Sequence, residues 1–112
     1  MGYLRRHAIA VTGTYGNDID KAHAFAQGTG AQVTDIYTAS INNERTFFVC
    51  PDGSKEGWHQ SDAGDDQRYR IVEYLKSVAY EDGSSPLAWC EFFYGDEMGE
   101  TAILNRNTVG GE

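Results

Sequence analysis

The segment Leu87–Tyr94, LAWCEFFY, restricts the fold more than any other stretch of the chain. It reads as a strand in which Ala88, Cys90, Phe92 and Tyr94 face one side and Leu87, Trp89, Glu91 and Phe93 the other. Side chains alternate between the two faces of a strand, and this strand carries aromatics on both. Any sheet that contains it therefore needs cover on each side.

The other elements follow from periodicity and punctuation. Residues 7–13 alternate, with His7, Ile9 and Val11 on one side and Ala8, Ala10 and Thr12 on the other. Small residues between β-branched ones suit a central strand with a helix close above it. Asn17 or Asp18 can cap a short helix over residues 19–27, whose apolar residues are Ile19, Ala22 and Ala26, and Gly28-Thr29-Gly30 ends it. Residues 32–41 are β-prone, Asn42-Asn43-Glu44 is a polar turn, and residues 45–50 return as a strand. A turn at residues 51–54 and an exposed aromatic loop at residues 55–60 come next. Ser61 or Asp62 is then expected to cap a long helix, with Asp65 and Asp66 in its first turn. Arg68, Ile71, Val72, Leu75, Val78 and Ala79 form its apolar stripe. Residues 81–86 stop it, and a last strand over residues 101–105 pairs with Leu87–Tyr94 in a second hairpin.

The order is β-α-β-β-α-β-β. It predicts an α+β fold of ferredoxin-like type: an antiparallel sheet with two helices on one face and one strand added at the C-terminal end. The 112 residues are expected to form one domain, with residues 108–112 as a flexible tail. Helices on one face leave the other to a loop, a ligand or a second subunit, so a homodimer or higher homo-oligomer formed through the sheet is expected.

Seventeen acidic residues against nine basic give a net charge of −8. That argues against direct binding to DNA or RNA, whose phosphates demand an excess of Lys and Arg. No apolar run reaches membrane-spanning length and the start is too polar for a signal peptide, so the expected location is cytoplasmic. Cys50 and Cys90 lack a CxxC or His-rich context, and no metal or other cofactor is expected. Walker, G-x-S-x-G and HExxH motifs are absent, which leans away from an enzyme.

Two cationic groups carry the candidate chemistry. Arg5, Arg6 and His7 stand at the mouth of the first strand, where a guanidinium fork can grip a phosphate or carboxylate; the plainer reading is a basic strand entrance. Lys55, Trp58 and His59, with Arg45 and the Asn42-Asn43 turn, can form a rim that stacks a nucleobase and holds its phosphates; alternatively, Trp58 folds back as a lid and Lys55 pairs with a nearby acid. Asp52, Glu56, Asp62, Asp65 and Asp66 do not match a calcium loop, and turn formation and helix capping account for them. A Cys50 nucleophile served by His7 or His59 is a weaker reading than a structural cysteine.

GYLRRHAIAVT at the start, FFVCPDGSKEGW in the middle and the later YEDGSS together resemble a group of short bacteriophage and prophage proteins. That group shares a GYxRxHAIxVT start and a central PDGSKEGW. The resemblance implies a context of host takeover or anti-defence and carries over no catalytic residue. With that context, the cationic clusters and the Trp on an otherwise acidic chain lead to a non-enzymatic protein that sequesters a small anionic, nucleotide-derived signal through Arg5, Arg6, His7, Arg45, Lys55, Trp58 and His59. The alternatives are an acidic, DNA-mimic-like inhibitor of a basic host protein, or a small ferredoxin-like enzyme with His7 or His59 as general base.

Overall fold

The computed structural model describes residues 4–14 and 16–107. The tail expected at residues 108–112 lies outside the described residues. Seven elements follow one another: β1 (Arg6–Gly13), α1 (Asp18–Gly28), β2 (Tyr37–Thr38), β3 (Arg45–Val49), α2 (His59–Ser77), β4 (Leu87–Tyr94) and β5 (Ala102–Arg106). The strands form one five-stranded sheet in the order β2-β3-β1-β4-β5, each neighbouring pair antiparallel. The protein is α+β, with the two helices and the antiparallel sheet that the periodicity predicts.

One side of the sheet builds the core. Ile9 and Val11 of β1, Phe47 and Val49 of β3, and Leu87 and Trp89 of β4 are buried against Ile19, Ala22 and Ala26 of α1 and Ile71, Val72 and Leu75 of α2. Both helices therefore cover the same face. Burying a Val, Leu, Ile or Phe side chain stabilises by about 1.5–3 kcal/mol, so this cluster dominates the folding energetics. Buried Gly13 lets α1 close on the end of β1, because a Cβ there would stand 2.9 Å from Leu87 Cδ2 and 3.2 Å from Ile19 Cβ. The small residues Ala8, Ala10 and Thr12 point the other way, to the face that no helix covers. Among the described residues, no helix is long and apolar enough to cross a membrane.

Three local expectations change. The β-prone stretch over residues 32–41 yields only the two-residue β2 and one isolated bridge, Val33 to Val49. Thr34 is the reason: its Oγ1 accepts the Phe48 amide at 3.0 Å, so a side chain stands in for part of the ladder. The turn beyond it holds Asn42 and Asn43 at φ 59° and 52°, the left-handed region that asparagine tolerates best among side-chain-bearing residues. α2 begins at His59, with Trp58 at its N-cap, so Ser61 and Asp62 lie within the first turn instead of capping it. Asp65 and Asp66 sit one turn further in and pair with Arg68 and Arg70 of the same helix.

Candidate functional site

β1 directs Arg5 and His7 towards the helix side, and the bridge between Leu4 and Lys55 brings the β3–α2 connection alongside. At that junction a chain of polar contacts forms. His7 Nε2 lies 3.2 Å from Glu56 Oε1, and Ser61 Oγ donates to Glu56 Oε2 at 2.8 Å. Burial pushes the Glu56 carboxyl up, but hydrogen bonds from Ser61 and His7 and the fields of His7 and Arg5 outweigh it and hold the group below its ordinary value. Arg5 lies over the Phe93 ring, 4.2 Å from its centroid, and its guanidinium meets Asp96 at 2.5 Å. Asp96 is itself held low by the Met98 amide and by Arg5, against the upward push of burial.

Arg68 closes the floor of the junction from α2. It is only 6% exposed and pairs with Asp65 at 2.5 Å. Gly64 makes room for it, since a Cβ there would stand 3.1 Å from Arg68 Nη1 and 2.8 Å from Asp52 Oδ2. Burial raises the Asp52 carboxyl, yet bonds from Ser54 and the charge of Arg68 bring it below its ordinary value.

Two cavities open here. Arg5, Arg6, His7, Asp52, Ser61 and Arg68 are among the residues around the first, which at about 10 Å³ has room for a water at most. The second is a cleft of about 340 Å³ on the far side of His7, between α2 and strands β4 and β5. Its lining includes His7, Arg68, Tyr69, Lys76, Glu91 and Asn105. Glu91 is 9% exposed and accepts a hydrogen bond from Asn105 Nδ2 at 2.7 Å through Oε1. Its other oxygen makes no hydrogen bond among the described residues. Tyr69 is exposed at the rim, where Lys76 pairs loosely with Glu73 at 3.6 Å.

The seven residues expected to bind a ligand do not all meet. Arg45 stands at the far end of β1, opposite Gly13, where it donates to Asp20 and to the Gly16 carbonyl. The eight residues of β1 put it about 23 Å from Arg6. Arg6 donates to the Gly95 carbonyl at 2.8 Å. Lys55, Trp58 and His59 gather near the start of α2, exposed and away from the cleft lining. Trp58 is 45% exposed, so it does not fold back as a lid. His7 alone of the seven reaches the larger cleft.

Sequence reasoning missed Arg68, Tyr69, Lys76, Glu91 and Asn105 as site residues. For two of them a signal was present: Arg68 occupies an apolar-stripe position of α2, and Glu91 an inward position of the most hydrophobic strand. A charge in such a place signals a buried polar network or a cleft. His23 donates to the Thr34 carbonyl at 2.7 Å and meets the edge of Phe47, which makes it a structural residue. No group of three or more His, Cys, Asp or Glu able to hold a metal occurs among the described residues.

The fold and the site define an α+β protein with a compact polar cleft beside its central strand. No protein-family model matches the chain, and neither a curated protein nor a solved structure is detectably similar to it.

Proposed function

We propose that the protein is a non-enzymatic, bacteriophage-type binding protein of the host cytoplasm that sequesters a small anionic, nucleotide-derived ligand in the α2–β4–β5 cleft. One observation carries the reading: the cations Arg68 and Lys76, His7 and the buried Glu91 open on the same 340 Å³ space, together with the carboxylates Asp65 and Glu73 that pair with the two cations. That volume lies in the range of small-molecule sites, about 300–1,000 Å³. A phosphate would meet Arg68, Lys76 and His7, a planar ring would lie on Tyr69, and an amino group on that ring would donate to the free oxygen of Glu91. The Lys76–Glu73 pair is exposed and long, and such pairs are worth little, so an entering phosphate can compete for Lys76, whereas buried Arg68 keeps its partner Asp65 and would bind the phosphate beside it. The bacteriophage resemblance of the opening and central motifs supports, by analogy, a ligand drawn from host nucleotide signals.

We also infer that the sheet is a ferredoxin-like variant. The strands flanking each helix, β1 and β2 around α1 and β3 and β4 around α2, are separated by one antiparallel strand, the arrangement of a split βαβ unit, and β5 extends the β4 edge. The acidic-inhibitor reading has less support, because Asp65, Asp66 and Glu73 are each paired with a base on the same helix.

A second reading rests on the His7–Glu56 contact: a carboxylate that holds one imidazole nitrogen leaves the other to act as a base. One experiment separates the two. Thermal unfolding is followed with cyclic dinucleotides, cyclic ADP-ribose-like molecules and common nucleotides, for wild type and for Tyr69→Ala and Lys76→Ala. A ligand at 100 times its Kd stabilises by about 2.7 kcal/mol. Sequestration requires a shift that both variants weaken and a ligand recovered intact. A ligand recovered altered, with the alteration lost in His7→Gln, establishes the enzyme, and no shift across the panel overturns the proposal.

A further inference from the structure

The sheet face turned away from the helices has a composition unlike the rest of the surface. The registers place Phe48, Ala10, Cys90 and Arg106 in one row across it and Ala8, Phe92 and Ile103 in the next. Phe48 is 46% exposed and Ile103 64%. The five strands contain a single carboxylate, Glu91, and that one points into the cleft on the helix side. In a chain with 17 acids the strands thus turn no carboxylate to this face, although they turn Arg6 and Arg106 to it.

We propose that a second copy of this chain covers the face, giving a twofold dimer packed sheet to sheet. Three features select that occupant. The first is charge: a basic partner would find no carboxylate on the strands to meet, and an acidic one only two arginines, whereas two strongly acidic copies can approach through strands that turn no carboxylate outward. The second is relief. Beyond Arg6 at its start, β1 contributes the small residues Ala8, Ala10 and Thr12, while Phe48 on β3 and Phe92 and Tyr94 on β4 rise beside it around a furrow of about 430 Å³. With the two copies offset, a ridge of each can lie in the furrow of the other, the self-complementarity that a twofold interface requires. The third is area. The strands differ in length, from two residues in β2 to eight in β1 and β4, and at about 3.3 Å per residue and about 4.8 Å between strands they present roughly 450 Å² per copy, or about 900 Å² for two, which is below the standard interface size and suits a weak, reversible dimer. The dimer is accordingly of modest affinity, and it leaves the cleft free because that opens on the opposite side of the sheet. The proposal does not depend on the ligand-binding reading.

Sedimentation equilibrium from about 1 to 200 µM tests it, on wild type, Phe48→Glu and Ile103→Glu. Circular dichroism checks that each variant is folded. Neither position is in the core, and an interface hot spot typically changes Kd by about 30-fold or more. The expected result is a wild-type monomer–dimer equilibrium with a Kd raised at least about 30-fold in either folded variant. A wild type that stays monomeric throughout overturns the proposal. So does a dimer that both substitutions leave intact, or a monomer whose native mass spectrum carries an apolar ligand lost in Phe48→Glu.

Discussion

Gly13→Ala probes how closely α1 sits on the sheet. The added methyl would lie 2.9 Å from Leu87 Cδ2 and 3.2 Å from Ile19 Cβ, inside the optimal carbon–carbon separation of about 3.5–4.0 Å. Leu87 can turn its terminal methyl aside, but Ile19 Cβ is fixed to the backbone of α1, so relief requires the helix to move. Gly13 does not sit in the left-handed region, so alanine adds no backbone strain and gains about 0.4–1 kcal/mol by restricting the unfolded chain. Overpacking a close-packed core costs about 1–3 kcal/mol, and the clash wins by about 1–2 kcal/mol. With a urea m-value of about 2 kcal/mol/M, the midpoint should fall by about 0.5–1 M at unchanged m. On a Leu87→Ala background the same substitution should lose less, because one of the two colliding groups is gone. A Gly13→Ala midpoint equal to or above wild type would refute the reasoning, since α1 then could not approach β1 as described.

Other outcomes follow from the same geometry. Glu56, Asp52 and Asp96 have folded pKa values below their unfolded ones. The stability they contribute is therefore complete above the ordinary carboxylate range, about pH 4, and is lost as the pH falls through the folded values. The urea midpoint should drop between pH 5 and pH 2.5, and Glu56→Gln should flatten part of that drop; an identical profile contradicts the assigned contacts. Phe47→Ala, at a fully buried side chain, should cost about 3–5 kcal/mol in the same assay. Trp58→Ala should change stability by no more than about 0.5 kcal/mol. Acrylamide should quench Trp58 readily and buried Trp89 poorly, measured in the variants that keep only one of the two.

The legible part of this chain was periodic. β4 alternates large side chains on both faces and matches its expected bounds, and the stripe of α2 from Arg68 through Leu75 is buried as its spacing demands. Caps and edges were less legible. Ser61 looked like a cap, but its hydroxyl serves Glu56, five residues earlier, because α2 starts at His59. Valine, threonine, isoleucine and tyrosine over residues 32–41 promised a full strand, yet an edge segment with one sheet neighbour yields readily to a side-chain hydrogen bond such as that of Thr34. Of the expected binding residues, only His7 joins the cleft, and its most informative members, Arg68 and Glu91, lay in patterns read as core.

By itself the sequence determined the two helices, the long strands β1 and β4 and which face of each is apolar, though not the extent of the edge strand β2, because side-chain periodicity and local conformational preference are properties of neighbours along the chain. It also determined that acids stay off the strands, Glu91 excepted. Only the tertiary structure decided that β1 lies between β3 and β4, that Arg45 ends up a strand's length from Arg6, and that His7, Arg68 and Glu91 share one cleft. Those are contacts between residues tens of positions apart. They are set by how the sheet and two helices pack around one core, and no local pattern encodes them.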